Sequence, residues 1–183
     1  MAFRILVSLA RGLHVLSALW VLLLAFWIVG DVLARALLNS PIRGTAEVIR
    51  NSVVAITFMQ LPLAIFSGSM LRTEIFADSV NLLVRRLLRT AGYVLGATMF
   101  VLIAWSSWDS AMVAWRIGEF EGEGALRIPT WPVRFLLIGT SVYTAIAYAS
   151  MIWLDWTGQL EDETAYPGVL GFDSPLSSDR EGR

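Results

Sequence analysis

The chain has 183 residues, 56% of them hydrophobic, with a mean hydropathy of +0.65 and a formal charge of -1. It has no cysteine, which excludes disulfides and thiolate metal sites, and its one histidine, His14, argues against the facing histidine pairs of a haem-binding membrane bundle and against a catalytic zinc site. No P-loop, GxSxG element or glycine-rich dinucleotide fingerprint occurs, so no enzyme activity, cofactor or nucleic-acid partner is expected.

Four stretches carry no charged residue: 12–30, 51–71, 90–108 and 135–154, of 19, 21, 19 and 20 residues. An apolar helix of about 20 residues crosses a hydrocarbon core roughly 30 Å thick. Each stretch is closed at both ends by Arg or Asp, placed where a side chain reaches the headgroups. The expected fold is an all-α integral membrane protein with four transmembrane helices in a membrane domain of residues 12–156, the spans lying at about 12–35, 46–71, 90–115 and 132–156.

In chain order, residues 1–11 form an N-terminal segment with Arg4 and Arg11. The first span follows them as a signal peptide would, but its uncharged run is too long for an h-region and no small-residue cleavage site precedes Asp31, so it is read as retained. Trp20 and Trp27, seven apart on one helix face, are placed to meet either a partner's helices or lipid. The first connection gathers Asp31, Arg35, Asn39, Arg43, Glu47 and Arg50. Asp31 with Arg35, and Glu47 with Arg50, have helical spacing for ion pairs. The two readings are exposed surface pairs, or a polar network of Asp31, Arg35, Asn39, Glu47 and Arg50 that joins spans one and two and faces a partner.

Span two contains Pro62, which removes a backbone hydrogen bond to Phe58, and Gln60, the deepest polar group of the spans, expected to hydrogen-bond between helices. Over 73–89 the residues Phe76, Val80, Leu83, Val84 and Leu87 share one helical face and Glu74, Asp78, Arg85 and Arg89 the opposite one. That segregation predicts an interfacial amphipathic helix, the alternative being an extension of span three. Gly92 with Gly96 in span three, and Ala145 with Ala149 in span four, allow close helix approach. Between these spans, residues 109–134 interleave Asp109, Glu119, Glu121 and Glu123 with Gly118, Gly122 and Gly124, which reads as a hydrated loop or as an acidic contact surface. Trp105, Trp108, Trp131, Trp153 and Trp156 stand near span ends, where amphipathic rings anchor depth. Residues 157–183, with six acids against two arginines, form an acidic tail with too little apolar surface to fold.

Arginines near the span ends divide evenly between the two sides, six and six. The only dense basic group, Arg85, Arg86 and Arg89, places the second connection and both termini in the cytoplasm.

From span one into span two, Arg35, Asn39, Gly44, Glu47 and Arg50 resemble the small permease subunit of TRAP transporters, the DctQ type, and the likeness covers most of residues 13–155. Leu126, Ile128, Pro129 and Trp131 resemble that family's L-x-I-P-x-W entry into the last span. The chain departs from it at Arg72, Thr73, Glu74 and Ile75, where a His is common near an Arg, and at Arg134, where an aromatic residue is common. The resemblance implies a multi-pass protein of a bacterial inner membrane and a non-catalytic scaffold within a tripartite, sodium-coupled transporter for an organic acid. The implied partners are membrane lipids, a large permease subunit and a periplasmic substrate-binding protein, which Glu119, Glu121 and Glu123 could help to dock. A self-sufficient small oligomeric carrier and a membrane-anchored structural or sensory protein are the alternatives. The transported substrate is not written in this sequence.

Overall fold

In hydrocarbon a backbone must satisfy its own N–H and C=O groups, and within one segment only a helix does so. The computed structural model describes residues 2–67, 82–121 and 128–157, and it contains four such helices. They are α1 (Ala2–Leu38), α2 (Thr45–Phe66), α3 (Leu82–Ile117) and α4 (Trp131–Trp156), with a short antiparallel ribbon of β1 (Phe120–Glu121) and β2 (Ile128–Pro129) leading into α4. All four helices are long and apolar enough to cross a membrane. The start of α1, the end of α2, the start of α3 and the end of α4 lie at one rim of the bundle, called here the first rim. The α1–α2 connection and the ribbon lie at the other, the second rim.

The helices differ in length in a way that matters. At 1.5 Å per residue the 22 residues of α2 and 26 of α4 cover about 33 and 39 Å, whereas the 37 of α1 and 36 of α3 cover about 55 Å. The long pair therefore tilts or projects beyond a core of roughly 30 Å. Residues 2–11, expected as a segment ahead of the first span, are the opening turns of α1, and no Gly or Pro interrupts them. Residues 82–89, expected on an interfacial helix over 73–89, instead run unbroken into α3. No Gly or Pro separates Leu82 from Ala91, so a polar face suited to the interface here belongs to a helix leaving the membrane. The rest of that expected helix, 73–81, lies outside the described residues, as do 68–71 of the second span and 158–183 of the tail.

Packing follows the order α1, α2, α4, α3: the most extensive contact is α3 with α4, then α1 with α2, then α2 with α4. The inner pair is also the more buried, 33% and 39% of the most apolar windows of α2 and α4 against 11% for α1 and α3. Near the first rim all four helices share one apolar cluster, with Val7 and Ala10 from α1, Leu63, Ile65 and Phe66 from α2, Tyr93 from α3, and Ala147 and Met151 from α4. Phe3 meets Phe66 edge-on with ring centroids 5.6 Å apart, and the Tyr143 hydroxyl donates to the Leu6 carbonyl, tying α4 to α1. Pro62 stands in the last turn of α2, fully buried, and leaves the Phe58 carbonyl without its helical donor. Toward the second rim the buried cluster is Ala104, Ala111 and Ile138 with Phe135 against it, all on α3 and α4.

The contact of α3 with α4 is closest at Gly96. A Cβ built there would lie 2.7 Å from Cζ of Tyr148, so the ring occupies the space a side chain would need. Phe100 stacks on the same ring at 6.1 Å. Gly96 thus serves packing inside the subunit. In α4, Thr140 and Thr144 return their hydroxyls to the carbonyls of Leu136 and Thr140, which lets polar side chains be buried in an apolar helix.

Candidate functional site

Since the four windows hold no Asp, Glu, Arg or Lys, the charged chemistry of the chain collects at their ends, in three constellations. The first is the corner between α1 and α2. Asp31, about two turns from the end of α1, is buried. Its Oδ2 accepts from Arg35 Nε at 2.9 Å and from Arg35 Nη2 at 2.7 Å, and its Oδ1 accepts the backbone N–H of Ile42 at 2.7 Å. The Thr45 hydroxyl donates to the Ile42 carbonyl at 2.9 Å, so both polar groups of that peptide are held. Chain reversal demands two unusual backbone conformations. Asn39 has φ 50 and Gly44, the N-cap of α2, has φ 86. Glycine meets this at no steric cost, and asparagine tolerates the left-handed region better than most residues. Two to three turns deeper, the Trp20 indole N–H donates to the Ser52 hydroxyl at 3.1 Å and joins the helices again.

The expected network is thus only partly present. Asp31 and Arg35 pair, and Asn39 contributes through its backbone. Glu47 and Arg50 form no ion pair or side-chain hydrogen bond among the described residues; Arg50 is exposed and Glu47 half-buried in the first turn of α2. There the free N–H groups of the helix start favour a carboxylate without a cation beside it. Gln60, likewise, makes no side-chain hydrogen bond among the described residues, contrary to expectation. Trp20, read from sequence as available to a partner, spends its polar tip on Ser52 while its ring stays partly exposed.

The second constellation holds the ribbon against α3 and α4. Arg134, in the first turn of α4, donates through Nη1 to the Ser110 carbonyl at 3.1 Å and to the Ser110 hydroxyl. Its Nη2 pairs with Glu119 Oε2 at 3.1 Å and Oε1 at 3.2 Å. The Thr130 N–H and hydroxyl both donate to the Glu119 carbonyl. Beneath them Trp115 packs edge-on against Trp131, centroids 4.6 Å apart, and against Phe135. Glu119, expected to contact a binding protein, is therefore engaged inside the chain. Glu121 lies on β1, and Glu123 lies outside the described residues.

The third constellation lies at the first rim. Asp155, near the end of α4 and 2% exposed, accepts from Arg89 Nη1 of α3 at 3.3 Å through Oδ1, while its Oδ2 has no hydrogen-bond partner. The Trp156 indole donates to the Thr90 hydroxyl beside it at 3.2 Å. Sequence reading missed this pair, although Arg89 and Asp155 each close an uncharged window at the same rim, the signal by which it could have been found. No group of three His, Asp or Glu residues that could hold a metal occurs among the described residues.

What the arrangement can do follows from its position. Among the described residues, Arg89–Asp155 fastens α3 to α4 and Arg134–Glu119 fastens the chain ahead of β1 to α4, while Asp31–Arg35 lies within α1 and orients the carboxylate that holds the Ile42 N–H. In comparison with known proteins, residues 24–158 match a family model described as tripartite ATP-independent periplasmic transporters, DctQ component. No curated protein and no solved structure matches the chain.

Proposed function

Given that the chain belongs to the DctQ family, the small membrane component of tripartite ATP-independent periplasmic transporters, we propose that it is a non-catalytic scaffold that holds a large permease subunit side by side in the membrane. The observation that carries this reading is that Asp, Glu and Arg side chains are absent from the four windows 12–30, 51–71, 90–108 and 135–154 and resume at their ends. A carrier that moved an organic acid with sodium would need polar or charged groups along its route, and such groups inside a membrane are expensive and usually functional. Sodium coupling, the organic acid and the transport path then belong to the large subunit, and substrate capture to a periplasmic binding protein.

On this reading the second rim faces the periplasm, and its ribbon, braced by Arg134, presents the acidic connection to the binding protein. Because Glu119 is engaged by Arg134, Glu121 and Glu123 carry the docking charge, which would speed encounter with a basic patch. Glu47, in the first turn of α2, and Arg50, exposed near it, are among the charges of the corner left for the large subunit. Charge reversal of Glu47 and of Arg50, read by co-purification with the large subunit and by substrate uptake, is the test. Weakened assembly or uptake for either variant supports the assignment, and normal recovery and uptake for both removes these residues from the interface.

A further inference from the structure

An apolar groove of about 790 Å³ lies on the outer surface of α3 and α4 and has no part in the ion-pair constellations. Its walls combine Ala97, Ala104, Ala145 and Ala149 with β-branched Val and Ile side chains, and its mouth at the second rim is formed by Trp105, Trp108 and Asp109. Its inner end is at Ala97 of α3 and Ala149 of α4, each the sequence neighbour of the Gly96–Tyr148 contact. From Ala97 to Asp109 the helix rises twelve residues, about 18 Å, close to the depth of one leaflet of a core roughly 30 Å thick. A partner helix crossing the membrane would need a groove through both leaflets. An acyl chain needs one.

The mouth says what kind of head belongs to that chain. Asp109 is exposed, closes the uncharged window of α3, and has no ion pair or hydrogen bond among the described residues. Trp105 is 80% exposed and Trp108 51% exposed. Standing four and one residues before Asp109, they set two indole faces beside one free carboxylate, the combination that attracts an ammonium group by cation–π and charge interactions. An anionic headgroup would be repelled by the same carboxylate. We propose that this groove is a binding site for a zwitterionic, ammonium-bearing phospholipid of the second-rim leaflet, its tail along the alanine-lined trough and its ammonium at Asp109. The site requires nothing of the large subunit and stands apart from the scaffold reading.

The test uses the full chain, with whatever subunits purify with it, in vesicles carrying matched photoreactive phosphatidylethanolamine or phosphatidylglycerol with the same acyl chains. Labelling of the peptides that contain 97–109 and 138–149 should favour the ethanolamine probe at least about fivefold. Asp109→Asn should bring the two probes to parity while keeping the groove labelled, because the trough is unchanged. Ala145→Phe fills the trough and should abolish labelling by both, with helix content by circular dichroism unchanged. Equal labelling of the unaltered chain by the two probes overturns the proposal, as does an unchanged preference in Asp109→Asn. A groove that crosslinks to a protein helix in place of lipid overturns it too.

Discussion

Removing Arg89 while leaving Asp155 in place tests how α3 and α4 are held at the first rim. Asp155 is 2% exposed and pairs, among the described residues, with Arg89, which reaches one of its two oxygens at 3.3 Å. Breaking a buried pair by deleting one member commonly costs 3–5 kcal/mol, and with only one oxygen engaged the lower end applies, about 3 kcal/mol for Arg89→Ala. The reverse deletion differs in kind. Asp155→Asn removes the buried charge and still offers Oδ1 to Arg89, whose side chain is 25% exposed and can turn toward headgroups, so a loss under about 1 kcal/mol is expected. The double change Arg89→Met with Asp155→Leu should return to within about 1 kcal/mol of the original, since apolar groups of similar volume replace the pair. Thermal unfolding of the full chain in detergent reads these values. At roughly 2–4 °C per kcal/mol for a chain of this size, Arg89→Ala should lower Tm by about 6–12 °C. Equal losses for Arg89→Ala and Asp155→Asn would refute the reasoning, because they would mean that the bond, and not the stranded charge, decides.

Other outcomes follow from the same geometry. Gly96→Ala should destabilise by about 1–3 kcal/mol, because its Cβ would meet the Tyr148 ring at 2.7 Å; Tyr148→Leu in the same chain should restore most of the loss in Tm. At the corner, Asp31→Ala should lower Tm more than Asp31→Asn, whose remaining carbonyl oxygen still accepts the Ile42 N–H while the 59%-exposed Arg35 side chain turns toward headgroups. Replacing Arg134 with Ala should release the ribbon, seen as faster proteolysis between Glu119 and Thr130, and Arg134→Lys should rescue little because one ammonium cannot span Ser110 and Glu119 as the planar guanidinium does.

The helices were legible because charge is costly in hydrocarbon: the places where Arg and Asp resume mark the rims whatever the tertiary packing. Contacts local in sequence were legible too, as with Asp31 and Arg35 at i,i+4. The bond from Asp31 to the Ile42 N–H was not, because it exists only once Asn39 and Gly44 have turned the chain through left-handed conformations. Arg89 and Asp155 are 66 residues apart, and only the pairing of α3 with α4 brings them together. Arg134, read as a departure from an aromatic position, finds its reason in the Ser110 and Glu119 groups that it bridges. Helical periodicity over 73–89 misled for its second half, since a polar face has the same spacing whether a helix lies on the membrane or projects from it.

The central claim, that this subunit supports transport without conducting it, meets its most direct test in reconstituted vesicles. Uptake of a labelled organic acid under a sodium gradient is compared for this chain alone, the large subunit alone, and both together, each with the binding protein. Uptake by the pair, and background uptake by this chain alone at any density in the bilayer, is the predicted result. Uptake by this chain alone, rising with its density, would contradict the account.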